Sequence, residues 1–188
     1  LQRRIVQPVL QLTLKKIQDG LQKQLKHNIR LKTYFEQIEA DILDNLMLFE
    51  ANAADEDKRQ AALNQIFSRY QINLVVDNAG LQGAPVIIED NPSSYALFGG
   101  IDYQLENGKL KTDFMRIRAG SLLKAHDGFL MLHLSDLLTD SQLWVKLRRF
   151  LRSKRLQIEE PGSALTSDTP VALEPEAVEV NVKIVLIG

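Results

Sequence analysis

The residues with the most chemical promise lie between positions 119 and 160. Residues 128–134, GFLMLHL, form an apolar run opened by a glycine and followed by the polar pair Ser135-Asp136. Such a run suits a strand buried on both faces, as in a parallel sheet covered by helices. Glycine, buried strand, acid and helix together form a layout in which a strand delivers a carboxylate to a nucleotide-bound metal ion. Here the strand ends in His133, and the nearest acid, Asp136, lies further on. A neutral imidazole is a poor magnesium ligand, because that hard ion prefers oxygen. Asp136 reads as a cap of the helix that follows. His133 and Asp136 are therefore read as a degenerate metal-holding position.

Other chemical candidates are weaker. Ser121-x-x-Lys124 has the spacing of a serine–lysine pair but no surrounding oxyanion-hole pattern, so it is read as structural. The three histidines, His27, His126 and His133, fall in different elements without metal-ligand spacing, and no metal is expected. Arg148, Arg149, Arg152, Lys154 and Arg155 form a basic cluster on an amphipathic helix, where a solvated face or a subunit contact is the ordinary explanation.

The bulk numbers narrow the class. A chain of 188 residues buries a substantial core in one or two domains. Charged residues make up 25% of it and nearly balance, at a formal net charge of −1, so abundance alone gives no case for nucleic acid. Cysteine is absent, which fits a reducing compartment. No apolar stretch approaches the roughly 20 residues that span a bilayer. No membrane partner is expected, and a cytoplasmic location is. The chain opens on Leu1 and stops within an apolar strand, so it reads as a fragment of a longer polypeptide.

The elements that position these residues follow from pattern. Leu10, Leu14, Ile17, Leu21 and Leu25, then Leu31, Phe35, Ile38, Ile42, Leu46 and Phe49, repeat at helical spacing, and a break at His27-Asn28 folds the two helices antiparallel. Residues 51–57 are a polar break, with Asp55 as a cap for a helix over 58–70. Residues 72–76, INLVV, read as a strand ended by turn chemistry, and 85–88 as a second. Asn91-Pro92-Ser93-Ser94 starts a helix that Gly99-Gly100 breaks. Asn107-Gly108 signals a hairpin. Residues 114–118 read as a strand and 121–125 as a helical turn. After the Trp144 helix, 156–160 and 171–173 read as short strands around the linker PGSALTSDTP, and 180–187 as a buried strand.

Several blocks now line up. In order they are Asn73-Leu74-Val75-Val76-Asp77-Asn78, Gly83-Ala84-Pro85-Val86-Ile87, and Asn91-Pro92 through Leu97-Phe98-Gly99. Then come Arg118-Ala119-Gly120-Ser121-Leu122-Leu123-Lys124-Ala125-His126-Asp127-Gly128-Phe129-Leu130-Met131-Leu132-His133 and Trp144, Leu147, Arg148, Arg149, Leu151, Arg152, Ser153 and Ile158-Glu159. They resemble the AAA+ module of the Lon-related proteases, the Lon B and Lon C type and the enterobacterial Lon homologue. The departure is His133, where the family carries its metal-binding Asp.

The resemblance implies an α/β fold, a truncated AAA+ parallel-sheet core behind an N-terminal antiparallel helical hairpin. Domains are expected at 1–52, a coiled-coil-like insertion, and 53–188, a partial core with a degenerate Walker B. The strands at 72, 128 and 180 are expected as sheet neighbours. The family's pore-facing loop implies Phe98, Ile101, Tyr103 and Phe114 as candidate substrate contacts. Arg148, Arg149 and Arg152 become candidate subunit-interface arginines. The function implied is the non-catalytic part of a Lon-like serine protease, assembling a homo-oligomeric ring that routes protein substrates to a Ser–Lys domain outside this chain. A binding scaffold without proteolysis, or part of a working ATPase whose phosphate loop lies upstream, stay open. No cofactor is expected in these residues, while ATP and magnesium belong to the parent protein.

Overall fold

A computed structural model describes residues 2–25, 29–49, 56–106, 108–159 and 173–188. The expectations at His27-Asn28, Asp55, Asn107, 161–170 and 171–172 lie outside the described residues. The chain divides into two compact units, Leu1–Gln71 and Ile72–Gly188.

The first unit is helical. α1 (Gln2–Leu25) contains Pro8, and α2 (Ile29–Asp44) is followed by a 3-10 turn, Leu46–Phe49. Gln11 Nε2 donates to Glu39 Oε1 at 2.6 Å, and Arg3 pairs with Asp44 at 3.3 Å. Partners that move forward on one helix and backward on the other mark an antiparallel pair. α3 (Glu56–Arg69) closes the unit. Leu63 and Ile66 are buried, as are Phe35 and Leu43 on α2. Phe67 meets Phe49 edge-on at 6.1 Å, and Tyr70 donates to Asp41 at 2.7 Å. These contacts join α3 to the hairpin, and the first compact unit runs to Gln71.

The second unit is an α/β core. Its sheet orders β1 (Val86–Glu89), β6 (Gly128–His133) and β9 (Val182–Ile187) side by side, all parallel, with β6 central. Four helices pack on it: α4 (Ser94–Phe98), α5 (Ser121–Lys124), α6 (Leu134–Thr139) and α7 (Ser141–Ser153). The core joins Leu130 and Leu132 of β6 and Val182 of β9 to Leu97, Leu122, Leu137, Leu143, Leu147 and Phe150 of these helices. α7 shows why: Leu143, Leu147 and Phe150 share one stripe. The Asp140 carboxylate accepts from the N–H groups of Gln142 and Leu143, and Lys154 closes the far end in the left-handed conformation. Three small pairings complete the unit. They are β2 (Gly100–Ile101) with β5 (Ile117–Arg118), β3 (Gln104–Glu106) with β4 (Lys109–Lys111), and β7 (Arg155–Leu156) with β8 (Val178–Glu179), all antiparallel.

The truncated parallel-sheet core is as expected, with four local corrections. Residues 72–76 are in no sheet, and β1 takes the place beside β6 that they were expected to hold. Residues 114–118 are mostly a 3-10 turn, Phe114–Arg116, because Asp113 caps it by accepting from the Met115 N–H. The strand expected at 156–160 is shorter and starts earlier, as β7 at Arg155–Leu156. Among the described residues of this unit the sheet is covered on one face: Leu130 and Leu132 are buried, whereas Phe129, Val86, Ile88 and Val185 on the other face are exposed. An apolar run therefore does not require two covered faces.

Candidate functional site

In a parallel sheet, chemistry collects at the carboxyl ends of the strands. Here β6 ends in His133, which occupies the cap position of α6 without a side-chain cap bond and is partly buried. Asp136 lies in the first turn of α6, exposed, and accepts from Ser135 Oγ at 3.2 Å. It is not the cap of that helix: His133 holds the position, and the capping aspartate of this region is Asp140, on α7. On the neighbouring strand Glu89 ends β1, in register with Leu132. Its carboxylate accepts from Ser121 Oγ at the start of α5 and from the Asn91 N–H at 3.4 Å. Ser121 is 4% exposed, the one buried polar side chain of the described core. The sequence reading missed Glu89; the signal was an acid closing a short apolar strand.

His133, Asp136 and Glu89 are one imidazole and two carboxylates already hydrogen-bonded within the chain, and they do not gather as a metal-holding group, whereas magnesium takes near-octahedral oxygen. Ser121 donates to Glu89 and not to Lys124, so the S-x-x-K spacing does not become a dyad. His126 precedes β6 while His133 ends it, so the two stand at opposite ends of the strand. His126 Nδ1 accepts from the Asn181 N–H at 3.1 Å. Among the described residues no group of three His, Cys, Asp or Glu gathers to hold a metal ion.

The candidate substrate contacts separate. Phe98 is 3% exposed, packed edge-on against Phe150 at 6.4 Å with the Lys146 ammonium over its ring at 4.6 Å. Ile101 is 1% exposed in β2. Both fill the core, because the backbone breaks after the helix and turns their side chains inward. Tyr103 and Phe114 are partly exposed, flanking the hairpin and its following turn. The residues that stand out are ones the sequence reading passed over. Leu105 and Leu110 face each other across the β3–β4 hairpin, 69% and 52% exposed. Both fall in a stretch whose alternation was weak.

The base of that hairpin is braced. Asp102 accepts from the Tyr95 hydroxyl at 2.7 Å and from Arg118 Nε at 2.9 Å, and Thr112 donates to its carbonyl at 2.8 Å. Arg116 donates to Gln104. The Tyr95 hydrogen bond, then the Arg118 guanidinium, hold the Asp102 carboxyl below the ordinary carboxylate range. The same bond to Asp102 raises the Tyr95 phenol.

Arg148, Arg149 and Arg152 are exposed on α7 and carry no ion pair among the described residues. Arg149 lines a cleft of about 360 Å³ with Arg155 and Lys146, whose ammonium pairs with Glu159 at 2.8 Å. No helix of the described residues is long and apolar enough to cross a membrane.

The comparisons bear on this geometry. No curated protein matches the chain. The solved structure of NtrX from Brucella abortus aligns over 84% of this chain and 36% of its own length, at 18% identity and a TM-score of 0.34. The profile of a family described as "LonB-like, AAA domain" matches residues 82–188, which hold the whole sheet, the hairpin and α4 to α7. With more than half of its length matched, this chain belongs to the LonB-like AAA domain family.

Proposed function

We propose that this chain is the AAA-type portion of a Lon-related serine protease of the Lon B or Lon C kind, akin to the enterobacterial Lon homologue. In this reading it does not turn over ATP. It forms part of a homo-oligomeric ring, in which Arg148, Arg149 and Arg152 meet a neighbouring subunit, and it passes unfolded polypeptide to a Ser–Lys protease domain outside this chain. The hairpin carries the polypeptide contact, through Leu105 and Leu110 with Tyr103 beside them.

One observation carries the reading: His133 ends the central strand of a parallel sheet, where phosphoryl-transfer chemistry needs an oxygen donor for magnesium. The imidazole leaves the scaffold and removes the metal-holding oxygen, which suits a mechanical or positioning part rather than a hydrolytic one. The exposed leucine pair supports the polypeptide contact, since it offers apolar surface at no cost to the core.

The test is a magnesium-ATP titration of the full-length protein alongside its His133→Asp variant. The unaltered protein is expected to show no saturable magnesium-dependent binding. Tight magnesium-dependent binding by the unaltered protein overturns the inactive-site reading.

A further inference from the structure

Residues 72–76, INLVV, have the composition of a strand, and burial alternates along residues 72–75. Ile72 and Leu74 point outward, 77% and 69% exposed, while Asn73, Val75 and Val76 are partly buried. No turn or bend interrupts the chain from Gln71 to Asn78. Yet residues 72–77 make no main-chain hydrogen bond among the described residues. What holds the segment is side chains. Asn73 Nδ2 donates to the carbonyls of Phe114 and Ile117, at 2.8 and 3.1 Å, and Asn78 Nδ2 donates to that of Lys124 at 3.2 Å. Two asparagines thus pin the stretch to the protein and leave its own N–H and C=O groups unmatched among the described residues.

We propose that residues 72–76 are an open strand edge that takes up a segment of extended polypeptide by main-chain pairing. The occupant follows from the unmatched groups. A row of peptide donors and acceptors at strand spacing is complemented by another peptide main chain, and Ile72 and Leu74 add an apolar face for alternate side chains. Pairing through the main chain is indifferent to sequence, as suits a site for unfolded chains. Position agrees, because Asn73 anchors the segment to Phe114, just past the end of the hairpin that carries Leu105 and Leu110. The inference rests on the polypeptide-engaging reading above and gives it a second contact.

Hydrogen exchange on the full chain tests it, with reduced, carboxymethylated α-lactalbumin as a permanently unfolded probe. Amides of residues 72–77 are expected to exchange quickly in the free protein and about tenfold more slowly with saturating probe. Leu74→Lys, a change at an exposed side chain, is expected to weaken probe binding about tenfold by charging the edge. The parallel variant Leu105→Asp separates the two claims. If it abolishes probe binding while residues 72–77 stay unprotected and Leu74→Lys binds normally, the hairpin reading stands and the strand-edge proposal is overturned. If neither substitution changes probe binding, both fall. Protection already present without probe, and rising with protein concentration, assigns the edge to a second copy and also overturns the proposal.

Discussion

At the scale of single residues, two positions show how little room the core leaves. Gly128 opens the central strand because the Phe129 N–H donates to the Pro85 carbonyl at 2.8 Å, and a Cβ on Gly128 would lie 2.0 Å from that same oxygen. Gly128→Ala is expected to cost about 2 kcal/mol in urea unfolding, as overpacking does, while Gly83→Ala, with open space around it, is expected to cost almost nothing. Asp102 makes a different claim. Its carboxyl is depressed by Tyr95 first and Arg118 second. A depressed carboxyl stabilises the fold above its unfolded pKa and loses that contribution as the pH falls through its folded value. The network's stability is therefore complete above about pH 4 and drains away on further acidification. Asp102→Asn is expected to flatten that part of a stability–pH series. The glycine that opens the strand was visible in the sequence. The Asp102 brace was not, since Tyr95, Asp102 and Arg118 converge only once the chain has turned back on itself.

At the scale of elements, helices were the most legible because their periodicity is local. The stripe of α7 and its stop at Ser153 follow from residue spacing and caps. Asp140 is a sharper check, for its carboxylate serves two N–H groups at 2.9 and 3.1 Å. Asp140→Ala is expected to lower stability by about 1 kcal/mol, read from thermal unfolding. Asp140→Asn is expected to recover most of it, because either side chain offers the same oxygen. Strands fared unevenly for a physical reason. Residues 72–76 have strand composition but no ladder, because a strand is completed by a partner that composition does not specify. Val86–Glu89 is shorter, yet it takes the place beside β6, where the Gly128 close approach sets the register. The pore-facing expectation for Phe98 and Ile101 met the same limit, since apolar type does not tell core from surface.

At the scale of the whole molecule, the two units are built on different terms. The helical unit rests on one hairpin closed by α3, and the α/β unit on a sheet covered on one face. The open face exposes Val86 and Ile88 at 59% and 60%, with Phe129 and Val185 above a third. A patch of that kind binds environment-sensitive dyes. Ile88→Lys is expected to lower anilinonaphthalene sulfonate fluorescence of the native protein by about half without moving its unfolding midpoint. By itself the sequence determined the helical pair, the strand that ends in His133 in place of a carboxylate, and the Lon-related AAA family at its coarser level, because each rests on residue type and short spacing. Only the tertiary structure decided that Glu89 meets Ser121, that Leu105 and Leu110 stand exposed while Phe98 and Ile101 are buried, and that residues 72–76 lack a ladder. Those facts depend on which segments lie side by side, a long-range outcome of packing that no local pattern encodes.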